Sequence, residues 1–174
     1  MKKRKFSGLA GKVLILVIIL LNVGCDQISK SIVREQVDYY ENIKVFSNYV
    51  TLTKVENSGA FLSMGDALHS GIKFVLLLLM PVGVLIAGIY FVMTRKDLSP
   101  VLIFGICCVI GGGIGNLYDR IIYGSVTDFL HIDFIVFQTG IFNVADLSIM
   151  AGMSLIILDA VHKRKMASKL RPQA

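Results

Sequence analysis

The sequence predicts an all-α integral membrane protein with four transmembrane helices and a small extracytoplasmic β-element between helices 1 and 2. Two observations predict this class. The 174 residues are 55% hydrophobic and only 17% charged, with a mean hydropathy of +0.70. Four apolar stretches also approach the roughly 20 residues that a helix needs to cross a bilayer core. We expect one membrane-embedded domain over residues 1–174.

The predicted spans cover about residues 13–33, 74–93, 99–118 and 144–161. The second and third spans contain no charged residue, and the fourth is acidic only near its two ends. The first apolar run stops at Cys25 and is too short alone, so this span must continue through a polar segment to Val33.

Residues 1–25 have a second interpretation as a lipoprotein signal peptide. A basic start, an apolar run and small residues before Cys25 are typical of such a segment, which would be removed. Asn22 fits that pattern poorly, because its position usually takes a leucine-like residue. Three further spans are not typical of a secreted lipoprotein. We therefore expect this segment to be retained as the first span.

The distribution of basic residues predicts the topology. They cluster at residues 2–5, at 95–96 and at 163–171, flanking the apolar runs. Under the positive-inside rule, both termini and the turn 94–98 are cytoplasmic, and the connections 34–73 and 119–143 lie outside. The clusters form no surface for nucleic acid, so we expect no such partner. Scattered cysteines and histidines predict no metal site, and we expect no cofactor.

The connection 34–73 is long and contains two β-prone runs, Ile43–Phe46 and Tyr49–Thr53. This pattern predicts a small strand-containing element on the outer face of the membrane. Long connections with structure of their own are commonly functional.

Charged residues inside a span are costly, at about 2.5–3.5 kcal/mol each, and by default indicate function. Asp26 and Lys30 are four residues apart and can pair on one helix face. They form either a simple ion pair at the outer end of the first span or part of a substrate site. Four glycines within residues 111–115 predict a tight helix–helix contact. Such a contact leaves Asn116 and Arg120 unexplained.

Two further carboxylates can converge at the outer ends of the third and fourth spans. Asp128 follows the third span in the connection, and Asp146 begins the fourth. Asn143 and Asp146 have the spacing of a capping box, which would explain Asp146 but not Asp128. Two carboxylates that share a water keep one proton between them, as in aspartic proteases.

Five segments together resemble the prolipoprotein signal peptidase (signal peptidase II) family, in order and over nearly the whole chain. They are residues 26–30 (DQISK), 57–61 (NSGAF), 111–120 (GGGIGNLYDR), 126–129 (VTDF) and 142–146 (FNVAD). The resemblance implies an aspartyl endopeptidase of the bacterial inner membrane. Such an enzyme removes signal peptides from diacylglyceryl-modified prolipoproteins by cutting before the lipidated cysteine.

The resemblance also implies roles for individual residues. Asp128 and Asp146 match the catalytic pair. The implied substrate-binding positions are Asn57, Gly59, Asn116, Arg120 and Asn143. The implied supporting positions are Asp26, Lys30, Gly112, Val126 and Ala145. Residues 37–68 resemble the family's β-cradle. The family often has two alanines after the glycine of its second motif, whereas here Ala60 is followed by Phe61.

Two other classes of function remain compatible with these residues. A small ion-coupled transporter or channel subunit would also carry intramembrane charges, but it needs polar groups through the whole bilayer depth. A membrane scaffold built on the glycine-rich contact would tolerate Asp128→Asn. For a peptidase, we expect a monomer with prolipoprotein substrates and membrane lipid as partners.

Overall fold

The computed structural model describes residues 8–46, 49–59, 69–134 and 136–169. Four helices in this part of the chain are long and apolar enough to cross a membrane, which confirms the predicted class. The helices are α1 (Leu9–Gln36), α2 (Ser70–Thr94), α3 (Pro100–Ile122) and α4 (Val144–Lys169). The strands are β1 (Ile43–Phe46), β2 (Val50–Asn57) and β3 (Val126–Ile132).

Every helix is longer than its predicted span, because polar residues at the ends continue the helix beyond the apolar run. α1 passes through Cys25 without a break, and Cys25 is exposed on its surface. α3 begins at a capping serine, Ser99, whose hydroxyl accepts a hydrogen bond from the Leu102 N–H. α2 contains a π-helical turn at Val75–Leu79, a feature that is common near functional sites.

α3 occupies the middle of the helical bundle and packs against the other three helices. Its glycines allow close approach, as predicted. A Cβ atom on Gly112 would overlap the backbone oxygen of Ala145 in α4, and one on Gly115 would overlap the carboxylate of Asp26 in α1. Large apolar side chains such as Leu20, Ile86 and Leu158 are exposed on the outside of the bundle, where lipid would cover them.

The three strands form one antiparallel sheet in the order β1-β2-β3. β1 and β2 confirm the predicted β-element between the first two spans, although part of that element, residues 60–68, lies outside the described residues. β3 comes from the connection between α3 and α4, and it pairs Asp128 with Val55 and Val126 with Asn57. Asp128 therefore lies on a strand within the connection that follows α3.

The contact between Gly112 and α4 generates a stability prediction. Gly112→Ala should lower the free energy of unfolding by about 1–3 kcal/mol, because the new methyl group meets backbone that cannot rotate away. The measurement is thermal unfolding in detergent. Gly83→Ala in α2 is the matched control, since its Cβ would meet no atom within 4 Å. Equal melting temperatures for the two variants would contradict the close approach.

Candidate active site

Asp128 and Asp146 face one cavity of about 430 Å³. β3 supplies Asp128, and the first turn of α4 supplies Asp146. Polar side chains of the cavity wall include Asn57, Asn116 and Arg120. The rest of the wall is apolar and comes from α2, α4 and β3: Leu76, Leu77, Pro81, Val126, Ile149 and Met150.

The carboxylate of Asp128 is held by two amide side chains. It accepts hydrogen bonds from Asn57 Nδ2 at 2.8 Å and from Asn143 Nδ2 at 2.6 Å. Only 3% of its surface is exposed. Burial, and to a lesser degree the nearby charge of Asp146, raise the pKa of Asp128 to about 6, although the two hydrogen bonds oppose this rise.

Asp146 lies at the amino-terminal end of α4, where the helix dipole favours a negative charge. Its carboxylate accepts hydrogen bonds from Asn116 Nδ2 at 2.9 Å and from the Asn143 N–H at 3.2 Å. The Asp146 N–H donates in return to Asn143 Oδ1 at 3.0 Å. The capping box expected from the spacing is therefore present. The Asn143 side chain also bonds Asp128. Asn143 therefore caps α4 and at the same time links the two carboxylates.

The guanidinium of Arg120 forms another part of the cavity wall. It donates to the Gly59 carbonyl at 2.9 Å and to the Asn116 carbonyl at 3.4 Å. Gly59 itself is oriented by its N–H, which donates to Asn57 Oδ1 at 3.0 Å. Among the described residues, Nε of Arg120 is buried without a hydrogen-bond partner. Ala60 and Phe61, where the sequence departs from the family motif, lie outside the described residues.

Asp26 and Lys30 form a fully buried ion pair with an Nζ–Oδ2 distance of 2.8 Å. The expectation of a pair at the outer end of the span is therefore incomplete. Lys30 Nζ also donates to Asn116 Oδ1 at 2.9 Å, and Asp26 Oδ1 accepts from the Ala145 N–H at 2.9 Å. The pair thus contacts Asn116, whose side chain bonds Asp146, and the backbone of Ala145, the residue before Asp146 in α4.

Asp119 is the principal site residue that sequence reasoning did not assign. Its carboxylate lies 3.0 Å from Lys30 Nζ and 2.9 Å from an Arg34 nitrogen, and it accepts from Gln27 Nε2 at 3.0 Å. A signal existed in the sequence, since Gln27, Lys30 and Arg34 recur every three to four residues on one face of α1. Arg34 Nε also donates to Thr127 Oγ1 at 2.8 Å, next to Asp128.

The remaining predicted supporting positions are packing contacts around the two carboxylates. Gly112 lies against the backbone of Ala145, and Val126 is buried beside Asn57 in the sheet. In the part of the chain that the structure describes, no group of three or more His, Cys, Asp or Glu side chains is arranged to hold a metal ion.

Comparison with known proteins places the chain in a family. Residues 18–162 match the sequence model of a family described as signal peptidase (SPase) II. A lipoprotein signal peptidase of Streptococcus pneumoniae is 33% identical over 147 residues, covering 84% of this chain and 92% of that protein. One from Streptococcus thermophilus is 35% identical over 147 residues, with the same two coverages.

Two solved structures, each described as a bacterial membrane enzyme determined by the in meso method, share the fold. The first has a TM-score of 0.78 and 25% sequence identity, covering 92% of this chain and 93% of that chain. The second has a TM-score of 0.77 and 26% identity, covering 90% and 96%. The chain is therefore a protease that belongs to the signal peptidase II family.

Proposed function

We propose that Asp128 and Asp146 are the catalytic pair of this protease, which removes signal peptides from prolipoproteins. One observation carries the proposal. Asn143 bonds both carboxylates, so two acidic groups from separate elements face a single cavity. A capping role alone requires no carboxylate on β3. The comparisons give no support to the alternative of an ion-coupled transporter.

The two carboxylates have different surroundings, which divides the roles between them. Asp146 is partly exposed and lies at a helix amino terminus, so it is the ionised member and acts as the base. Asp128 is more deeply buried and holds the proton. Asp146 takes a proton from water, whose oxygen attacks the scissile carbonyl. Asp128 donates its proton to the carbonyl oxygen. Asp146 then passes the proton that it took from water to the amide nitrogen, the C–N bond breaks, and a hydroxyl of the tetrahedral intermediate returns a proton to Asp128.

The cavity wall supports a binding role for the polar residues around the pair. Arg120 provides a planar guanidinium in the cavity wall, a group that can donate to a substrate carbonyl. Asn57, Asn116 and Asn143 orient the carboxylates through hydrogen bonds, and Asn57 and Asn116 also line the cavity. The carbonyl of Gly59 holds the guanidinium of Arg120. The apolar part of the wall accommodates the side chains next to the scissile bond, and cleavage occurs before the lipidated cysteine.

Charge and length together support a topology with the catalytic pair near the outer face of the inner membrane. Asp146 begins α4, and Lys163 follows 17 residues later, at a helical rise of about 1.5 Å per residue, or about 25 Å. That distance is close to the thickness of a bilayer core. The basic turn that follows α2, the basic end of α4 and both chain termini are then cytoplasmic, and the enzyme works as a monomer among membrane lipids.

The first prediction concerns the pair itself. Asp128→Asn and Asp146→Asn should each lower kcat by about a thousandfold or more, and the double variant should be scarcely worse, because a catalytic unit fails as a whole. The assay follows cleavage of a purified lipidated prolipoprotein. Asp159→Asn, at the other end of α4, is the control and should stay active. Substantial cleavage by correctly inserted Asp146→Asn would refute the assignment and leave only the capping role, worth about 1 kcal/mol.

The raised pKa of Asp128 predicts how stability depends on pH. A folded-state pKa of about 6 lies above the unfolded value of about 4, so the wild-type protein loses stability as pH rises from about 4 to about 6. Asp128→Asn lacks this loss, which amounts to about 3 kcal/mol. The melting temperature of Asp128→Asn minus that of the wild-type protein should therefore increase as pH rises from about 4 to about 6. A difference that is constant from pH 4 to pH 7 would be inconsistent with a buried, protonated Asp128.

The topology predicts which side of the membrane a cysteine probe will label. Val136→Cys, at a position 94% exposed in the connection between α3 and α4, should react with a membrane-impermeant maleimide in intact cells. Asp97→Cys, in the turn between α2 and α3, should react only after lysis. The wild-type protein controls for its own cysteines, which all lie within spanning helices. The opposite labelling pattern would invert the topology.

A further inference from the structure

We propose that Lys30 is a positioning residue that fixes the orientation of the Asn116 amide, and so presents a hydrogen-bond donor to Asp146. The inference rests on the proposed function, because it depends on Asp146 acting as a base. Two distances define the connection. Lys30 Nζ lies 2.9 Å from Asn116 Oδ1, and Asn116 Nδ2 lies 2.9 Å from Asp146 Oδ1.

The ammonium group of Lys30 uses all three of its donors. Nζ lies 2.8 Å from Asp26 Oδ2, 3.0 Å from Asp119 Oδ2 and 2.9 Å from Asn116 Oδ1, and the side chain is 0% exposed. An ammonium has three N–H groups and no acceptor. The third donor therefore requires an oxygen, and the Asn116 amide supplies it.

This requirement determines which way the Asn116 amide faces. Its oxygen accepts from Lys30 Nζ and also from Asn143 Nδ2 at 3.2 Å. With the oxygen held by two donors, the amide nitrogen must face Asp146. If the amide were reversed, its oxygen would face the carboxylate of Asp146 and its N–H groups would face the ammonium. Both contacts are repulsive, so the charge of Lys30 selects a single orientation.

The selected orientation favours the form of Asp146 that the reaction requires. A donor aimed at a carboxylate stabilises its ionised state, whereas an acceptor in that place stabilises the protonated state. The partner of Lys30 supports the same turn of α4, because Asp26 Oδ1 accepts from the N–H of Ala145. The buried ion pair therefore contacts the surroundings of Asp146 through a side chain and through the backbone.

Charge balance alone does not account for the contact between Lys30 and Asn116. Asp119 already has a second cationic partner in Arg34, at 2.9 Å, and Asp26 pairs with Lys30. The bond to the neutral Asn116 adds nothing to this balance. It does, however, determine the direction of a hydrogen bond on the catalytic pair.

The test removes the ammonium without leaving an unpaired buried charge. In the double variant Asp26→Asn/Lys30→Met, one negative and one positive charge disappear together, and Asp119 keeps Arg34. We expect kcat to fall about 10- to 100-fold, as for a lost hydrogen bond to a charged group, with KM changed less than about twofold. In an Asn116→Ala background, measured in single turnover at enzyme excess, the same two substitutions should change kcat by less than about twofold.

A second variant tests the amide without altering Lys30. Asn116→Asp keeps an oxygen for the ammonium but directs a carboxylate oxygen at Asp146, so turnover should fall by more than any decrease in melting temperature explains. The matched control is Asp159→Asn/Lys163→Met, which removes an ion pair of the same spacing at the other end of α4 and should leave kcat unchanged.

Three outcomes would overturn the inference while leaving the catalytic pair intact. They are equal losses of kcat in the wild-type and Asn116→Ala backgrounds, losses that simply follow the melting temperature, and wild-type turnover by Asn116→Asp. Failure of the proposed function is distinguishable, because it would appear as activity in Asp128→Asn and Asp146→Asn.

Discussion

The buried charge cluster of Asp26, Lys30, Asp119 and Arg34 is the interaction on which the rest of the structure depends. Asp26, Lys30 and Asp119 are completely shielded from the exterior. An unpaired charge in such surroundings is strongly unfavourable, so the cluster is stable only when α1 and α3 meet in one register. Apolar contacts between helices cannot impose that register equally well, because lipid tails compete for them.

The geometry around Asp128 and Asp146 follows from this register. Asn116 and Asp119 are three residues apart on α3, so one turn of helix reaches both the charge cluster and the carboxylate of Asp146. The cluster also extends to β3, since Arg34 bonds the hydroxyl of Thr127 beside Asp128. The buried charge cluster therefore contacts the surroundings of both Asp146 and Asp128.

Much of the fold was predictable from the sequence because the membrane imposes simple rules. Apolar length identified all four helices, and the cost of intramembrane charges singled out Asp26 and Lys30. Motif resemblance identifies Asn57 and Asn116, which line the cavity, and Asn143, which bonds both carboxylates. Motif resemblance could identify these residues, but it could not show which atoms they bond.

Other features were not predictable, because contacts between distant segments determine them. β3 contains Thr127 and Asp128, and aspartate is disfavoured in strands. The strand forms through pairing with β2, about 70 residues earlier in the chain. For Asp119, the spacing of Gln27, Lys30 and Arg34 indicates a polar face on α1, but it does not show which residue of another helix meets that face.

The distribution of the site along the chain has a consequence for biosynthesis. Asn57, Asn116 and Asp128 emerge from the ribosome before Asp146, which is on the last helix. A nascent chain with only three helices contains Asp128 but lacks Asp146, the second member of the proposed pair. Such a chain cannot hydrolyse a peptide bond by a mechanism that needs two carboxylates. Under the proposed mechanism, the chain therefore becomes an active protease only when α4 enters the membrane.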